Sequence, residues 1–220
     1  MNAEIKGMPS FGYIDVDMEP GESIYSESGA MTSMSADLDL KAKMNGGFFS
    51  ALFKRLLGDE SFFLEQFTNN TNGVRRLTLT QDTPGQIHEF NLDNNSICMQ
   101  PGAYLASTEG VKLGIQWAGL TSFIAREGLF KLIASGTGKL YFGAYGGLIE
   151  HQINGEFLVD SGHLVAYDPE IKLHLQLAGG IFSSFFGGEG LVTRLSGNGR
   201  VFLQSRSLSG LTDWLNPKLW

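Results

Sequence analysis

The sequence predicts an all-β protein in which three diverged copies of one β-rich unit close into a pseudo-threefold ring. Three observations predict it. Glycine is abundant at 29 residues and proline scarce at 6, the balance expected of many short strands joined by tight turns. Apolar and polar residues alternate with period two in run after run. One order of landmarks recurs three times, over 7–82, 83–145 and 146–207, followed by a tail at 208–220.

Each copy opens with a glycine and an alternating run: Gly12 before Tyr13–Met18, Gly85 before Gln86–Phe90, Gly147 before Leu148–His151. Turn-forming residues follow at Glu19-Pro20-Gly21, Asp93-Asn94-Asn95 and Asn154-Gly155. A second run then leads to Gly29, Gly102 or Gly162. The intervals Gly29–Gly46, Gly102–Gly119 and Gly162–Gly179 are each 17 residues. They enclose the strand-like runs Leu38-Asp39-Leu40, Val111–Ile115 and Ile171–Leu175. Each copy continues through an aromatic segment to a glutamate, Glu60, Glu127 or Glu189. A polar turn and a last apolar run complete it, as in Ser196–Gly199 before Val201-Phe202-Leu203.

A unit of about six short strands has open edges and too little core to stand alone. Three units shield one another when they close about an axis, the covalent counterpart of a cyclic trimer. Phe48 to Leu57 is the one helical candidate of any length. Its apolar residues recur at three- and four-residue spacing with Lys54 and Arg55 opposite, and it lies where the first copy is longest.

Composition narrows the function classes. Formal net charge is −7, which opposes non-specific nucleic-acid binding. Arg75-Arg76 and Lys54-Arg55 are the only adjacent basic pairs. Cys98 is the only cysteine, so no intrachain disulfide forms, and its setting between Ile97 and Met99 suits a buried, inert thiol. Residues 1–10 show no charged-then-apolar leader pattern, and no apolar run reaches the length of a membrane span. The expectation is a cytoplasmic protein.

The stretch Gly187-Gly188-Glu189-Gly190-Leu191-Val192-Thr193-Arg194-Leu195-Ser196-Gly197-Asn198-Gly199-Arg200-Val201-Phe202-Leu203-Gln204 resembles the C-terminal signature of the altered inheritance of mitochondria protein 24-like family. Asp160-Ser161-Gly162-His163-Leu164-Val165-Ala166 resembles that family's other hallmark. The likeness covers nearly the whole chain. It implies three domains similar to the tryptophan RNA-binding attenuation protein (TRAP) fold, a shortened double-stranded β-helix, and a bacterial protein of uncharacterised function. Asn198 departs from the proline more usual in the family. The absence of a leader pattern leaves the organellar role of eukaryotic relatives uncarried.

No complete catalytic or metal motif is present, and no cofactor is expected. His88, His151, His163 and His174 include no H-x-H pair, and His163 aligns with Ala30 and Ala103, so no symmetric ring of ligands follows. Hydrogen bonding within the fold is the expected role of His163. Glu60, Glu127 and Glu189 are the acidic residues repeated in all copies; they form either a cation-binding ring or a set of turn caps. Gly136-Thr137-Gly138 and Gly197-Asn198-Gly199 are fragments of phosphate loops that do not open a helix.

The aromatic segments carry the leading functional reading. Phe48, Phe49, Leu52 and Phe53 occupy the first, Phe123 and Ile124 the second, and Phe182, Phe185 and Phe186, beside Ile181, the third. A threefold axis brings them to one side of the ring, as a surface for self-association, a protein partner or a membrane; the alternative is that they plug the ends of the small barrels. The expected protein is therefore a non-enzymatic binding or scaffold protein with an unknown protein partner. The alternatives are a small-ligand site at a barrel mouth or on the axis and, less favoured, RNA binding. Trp214 and Trp220 lie in the tail, which either packs back on the ring or anchors a neighbouring molecule.

Overall fold

Alternation sets the first strands. In Tyr13–Met18 the side chains of Ile14, Val16 and Met18 are buried while Tyr13, Asp15 and Asp17 stay half-buried, the pattern of a strand with one face on a core. The computed structural model describes residues 1–44, 63–100, 102–117, 130–177 and 191–219. Phe48–Leu57, the predicted helix, lies outside them.

The described chain is all-β with one short α-helix. The first unit contributes β1 (Asn2–Lys6), β2 (Tyr13–Met18), β3 (Ser23–Glu27), β4 (Met31–Met34), β5 (Asp39–Met44), β6 (Phe63–Thr68) and β7 (Arg75–Thr80). The second contributes β8 (Ile87–Met99), β9 (Tyr104–Thr108), β10 (Val111–Trp117) and β11 (Phe130–Gly143). The third contributes β12 (Leu148–Asp160), a 3-10 turn (Ser161–His163), β13 (Leu164–Tyr167), β14 (Lys172–Leu177) and β15 (Leu191–Gln204). Helix α1 (Leu208–Leu215) follows.

One pairing scheme occurs three times, always antiparallel. In the first unit β7 pairs β2 and β4, and β6 pairs β3 and β5. In the second, β11 takes the place of β6 and β7, and pairs β8, β9 and β10. In the third, β15 pairs β12, β13 and β14. The turns expected at Asp93–Asn95 and Asn154-Gly155 lie inside the continuous strands β8 and β12. Positive φ at Asn94 in β8 and Gly155 in β12, and at Gly136 and Gly197 in their partners β11 and β15, lets these strands bend without breaking. The first unit breaks instead, between β6 and β7 and between β2 and β3, where Pro20 has no N–H for the ladder.

The register also corrects the alignment of the copies by one residue in the second. Ile14 faces Leu79, His88 faces Phe142 and Ile149 faces Leu203. Gly12 therefore matches Gln86 and Gly147, while Gly85 matches Gly146 and Phe11.

Neighbouring units join edge to edge. β3 pairs β9 with Tyr25 opposite Ser107, and β8 pairs β13 with Cys98 opposite Tyr167. Beside these pairings, Gly12 N–H donates to Gly85 O at 2.8 Å, and Gln86 N–H donates to Gly146 O at 2.9 Å. The cores interlock in the same places. Leu105, Ala106 and Tyr141 of the second unit pack with Ile14, Leu77 and Phe67 of the first. Val165, Ala166 and Phe202 of the third pack with Phe90, Met99 and Phe142 of the second. Among the described residues no strand pairing joins the third unit to the first, so the expected ring closure is not among the pairings seen.

Gly85 sits where two units meet. A Cβ there would lie 1.9 Å from Ala144 O and 2.6 Å from Gly146 N, and backbone atoms cannot swing aside as a side-chain end does. Gly85→Ala is expected to lower unfolding stability by roughly 2–3 kcal/mol. Gly73→Ala meets only the Arg75 guanidinium, at 3.1 Å, and serves as the control. Urea midpoints of the two variants check this: equal midpoints would remove the junction from the set of stabilising contacts.

Candidate functional site

The residues predicted to carry function fall in segments outside the described residues. This holds for the aromatic set Phe48, Phe49, Leu52, Phe53, Phe123, Ile124, Phe182, Phe185 and Phe186, and for Glu60, Glu127 and Glu189. The described residues place the remaining candidates.

The histidines are scattered. His163 lies in the 3-10 turn and its Nδ1 donates to Gln204 O at 2.7 Å, a hydrogen bond that ties the turn to β15. His88 lies among aromatic rings, 5.1 Å from Phe142 and 5.3 Å from Phe202 between centroids. Burial there pushes its pKa below the usual value of 6.5, with Glu150 opposing weakly. No group of three or more metal-ligating side chains converges among the described residues.

Beside His88, Arg200 of the third unit reaches across the second junction to Phe90. The Arg200 guanidinium lies 4.8 Å from the Phe90 ring centroid. It also grips Asp168, with Nε to Oδ2 at 3.2 Å and Nη2 to Oδ1 at 3.0 Å, while Arg200 N–H donates to Asp168 Oδ2 at 2.8 Å. Geometry of this kind fixes β15 against the turn after β13. At the first junction the buried Tyr104 hydroxyl donates to Tyr25 O at 3.2 Å and contacts Ser107 Oγ at 2.9 Å. Burial pushes its ionisation well above the ordinary phenol range. The Tyr104 hydrogen bond and the Arg200–Phe90 contact join units, while the Asp168–Arg200 pair braces the third unit internally.

Arg75 and Arg76 are paired to carboxylates, Arg75 Nε with Asp37 at 2.7 Å and Arg76 Nε with Asp17 at 3.3 Å. Gly136-Thr137-Gly138 and Gly197-Asn198-Gly199 lie within β11 and β15, away from any helix start. The turns of the second unit border an open depression of about 590 Å³, lined by Asn94, Asn95, Ser96, Lys112, Ser135 and Thr137. Its width leaves most of a small molecule in water.

What stands out instead is where apolar side chains reach solvent. Met8, Phe11, Met31, Leu40 and Val74 are exposed in the first unit. Ile149 and Leu158 are exposed in the third, and Leu208, Trp214 and Leu219 in the tail. Among the described residues the middle unit exposes no large apolar side chain. Helix α1 is part of this surface. Ser207 caps it, its hydroxyl accepting from Gly210 N–H at 3.1 Å, yet none of its residues is buried. Leu208, Leu211 and Leu215 recur at three- and four-residue spacing behind that cap, the signal by which the sequence marks this helix.

The profile of the family described as Mitochondrial biogenesis AIM24 matches residues 3–206. The chain belongs to the AIM24 family. A relative from Streptococcus pyogenes serotype M6, named Uncharacterized protein M6_Spy0233, is 28% identical over 218 residues, covering 95% of this chain and 87% of that protein. The X-ray crystal structure of protein SPYM3_0169 from Streptococcus pyogenes is similar at TM-score 0.79 and 25% identity over 99% of each chain. The AIM24 architecture is thus shared by uncharacterised bacterial proteins along its full length.

Two outcomes follow for buried groups. His88 is held neutral in the fold, so between its lowered pKa and 6.5 the unfolded chain binds more protons, and stability falls as pH drops through this window. His88→Phe is expected to lose less stability than wild type between pH 7 and 5, read from denaturant midpoints; parallel pH profiles would exclude His88 as a source of acid sensitivity. Cys98 is 1% exposed, and burial raises its thiol pKa. It is expected to react with a thiol-specific disulfide reagent only on unfolding. A fast native-state reaction would contradict this.

Proposed function

We propose that this AIM24 protein is a non-enzymatic scaffold of three TRAP-like units, and that its exposed apolar ends bind protein partners. The exposure of Leu208 and Trp214 on helix α1, where Leu211 and Leu215 are only half-buried, carries this reading. A helix that buries none of its residues fully has little tertiary support, since short helices are marginal in isolation. Leu208 at 56% and Trp214 at 59% exposure are the anchor types that protein interfaces bury.

A membrane is the less favoured partner. Interfacial helices are rich in basic residues, whereas α1 holds one charged residue, Asp213. The chain's net charge of −7 also opposes the anionic leaflet. RNA is disfavoured by the same charge and by the pairing of Arg75 and Arg76 with carboxylates. The recurrence of one strand-pairing scheme supports the triplicated TRAP-like reading, and it gives the scaffold equivalent faces. Closure into a ring within one chain would need a third junction, between β12 and β4.

The test removes the apolar surface of α1 with Leu208→Ser and Trp214→Ser together. Both sites are exposed, so the stability change is expected to stay within about 1 kcal/mol. Capture from the native host with the wild-type chain should recover proteins that the double variant loses, and flotation with neutral or anionic phosphatidylcholine-based vesicles should show no binding by either. An identical captured set, or flotation abolished by the double variant, would overturn the assignment.

A further inference from the structure

The two junctions inside the chain define what each unit offers its neighbours. A unit presents the second segment of its long hairpin, β3 or the end of β8, to the next unit's short strand, β9 or β13. The third unit has the same presenting segment, the end of β12. The first unit has the same receiving strand, β4. Neither has a partner strand on that side among the described residues.

The register identifies the positions. Tyr25 faces Gln66, Cys98 faces Ile133 and Leu158 faces Arg194, so Leu158 is the third-unit counterpart of Tyr25 and Cys98. Met31 faces Leu79, Tyr104 faces Phe142 and Leu164 faces Leu203, so Met31 is the first-unit counterpart of Tyr104 and Leu164. Exposure separates the used positions from the unused ones. Cys98 is 1% exposed and Leu158 55%; Tyr104 is 1% exposed, Leu164 3% and Met31 37%. Tyr104–Ser107 of β9 and all four residues of β13 are buried, whereas three of the four residues of β4 are exposed.

The backbone contact beside each junction is missing in the same place. Gly12 and Gln86 donate to the following unit's Gly85 and Gly146. Their counterpart Gly147 donates to Ser205 Oγ of its own unit, at 2.8 Å, and Phe11, the counterpart of the acceptors, is 73% exposed.

We propose that the β12 edge of one molecule pairs antiparallel with the β4 edge of a second copy of this chain, with Leu158 falling opposite Met34, and Met31 on the same edge, repeating the internal junctions between molecules. A second copy fits because the interface is already built twice within the chain, and another molecule supplies the matching edge at each end. Neither edge has a ladder partner among the described residues, and an open edge is a template for pairing. The contact is heterologous, so it propagates head to tail and closes only if the rotation between units allows. This inference rests on the three-unit reading of the scaffold and is independent of what α1 binds.

Leu158→Lys blocks the presenting edge and Met31→Lys the receiving edge. Sedimentation velocity of the wild-type chain is expected to show species heavier than the 24.0 kDa monomer, growing with concentration. Each variant alone is expected to remain a monomer. A mixture of the two retains one compatible pair of edges and is expected to give a 1:1 complex of twice the monomer mass and nothing larger. Circular dichroism checks folding, and Leu158→Ser with Met31→Ser is the milder pair if either lysine variant unfolds. A wild-type chain that stays monomeric up to millimolar concentration would overturn the proposal. So would assembly that survives both substitutions, or variants that fail to complement. Host-protein capture by α1 is read separately, and Met31→Lys should leave it unchanged.

Discussion

The pairing of one unit's strand edge with the next unit's short strand is the constraint on which the rest of the structure depends. An unpaired edge leaves a row of backbone donors and acceptors without partners. Where β3 meets β9 and where β8 meets β13, those groups are satisfied and the side chains beneath them become core. The middle unit shows the result most fully. Its cluster takes Leu64 from the first unit and Phe202 from the third, so no cut through the chain leaves it intact. Gly85, wedged against Ala144 and Gly146, and the Tyr104 hydroxyl on Tyr25 O serve the same joints.

Much of this fold is written in glycine spacing and alternation, and the departures have physical causes. The repeat stands out because turns and close approaches both demand glycine, at intervals the strands set. That same ambiguity shifted the alignment by one residue: Gly12 begins a strand, whereas Gly85 and Gly146 accept the junction hydrogen bonds. A glycine alone does not say which role it plays. Likewise Asp93-Asn94-Asn95 reads as a turn, but Asn94 takes a left-handed conformation and the ladder continues past it. Pro20 cannot do this, and the first unit's β2 ends before it. Helix α1 was missed: its Ser207 cap and leucine spacing mark it, but eight residues are too short to stand out by periodicity. The aromatic and glutamate candidates were chosen by their recurrence and lie outside the described residues.

The edge proposed for self-association is legible in a different comparison, between copies rather than along them. The short strands read Tyr-Leu-Ala-Ser-Thr in β9, Leu-Val-Ala-Tyr in β13 and Met-Thr-Ser-Met in β4. The first two keep an apolar stretch that is buried on both faces. β4 is polar enough to survive in water and still begins and ends in methionines, adaptable side chains suited to an interface that forms and separates. A strand destined to remain solvated has no need of them. The composition of β4 therefore matches an edge that spends part of its time unpaired.

Energetics set how such an edge behaves. The internal junctions form at the high effective concentration of tethered neighbours, so modest contact energies suffice to keep them closed. A junction of the same design between molecules also carries the cost of lost rigid-body freedom. It must then be weaker than its internal copies and respond to concentration, which is a useful property in a scaffold. Each chain adds three units, so any closed assembly built this way contains a multiple of three, whatever rotation relates them. Closure in one chain needs a rotation of about 120° per unit about a common axis; with any smaller rotation the β12 and β4 edges would stay apart, and closing the sheet would fall to a second molecule.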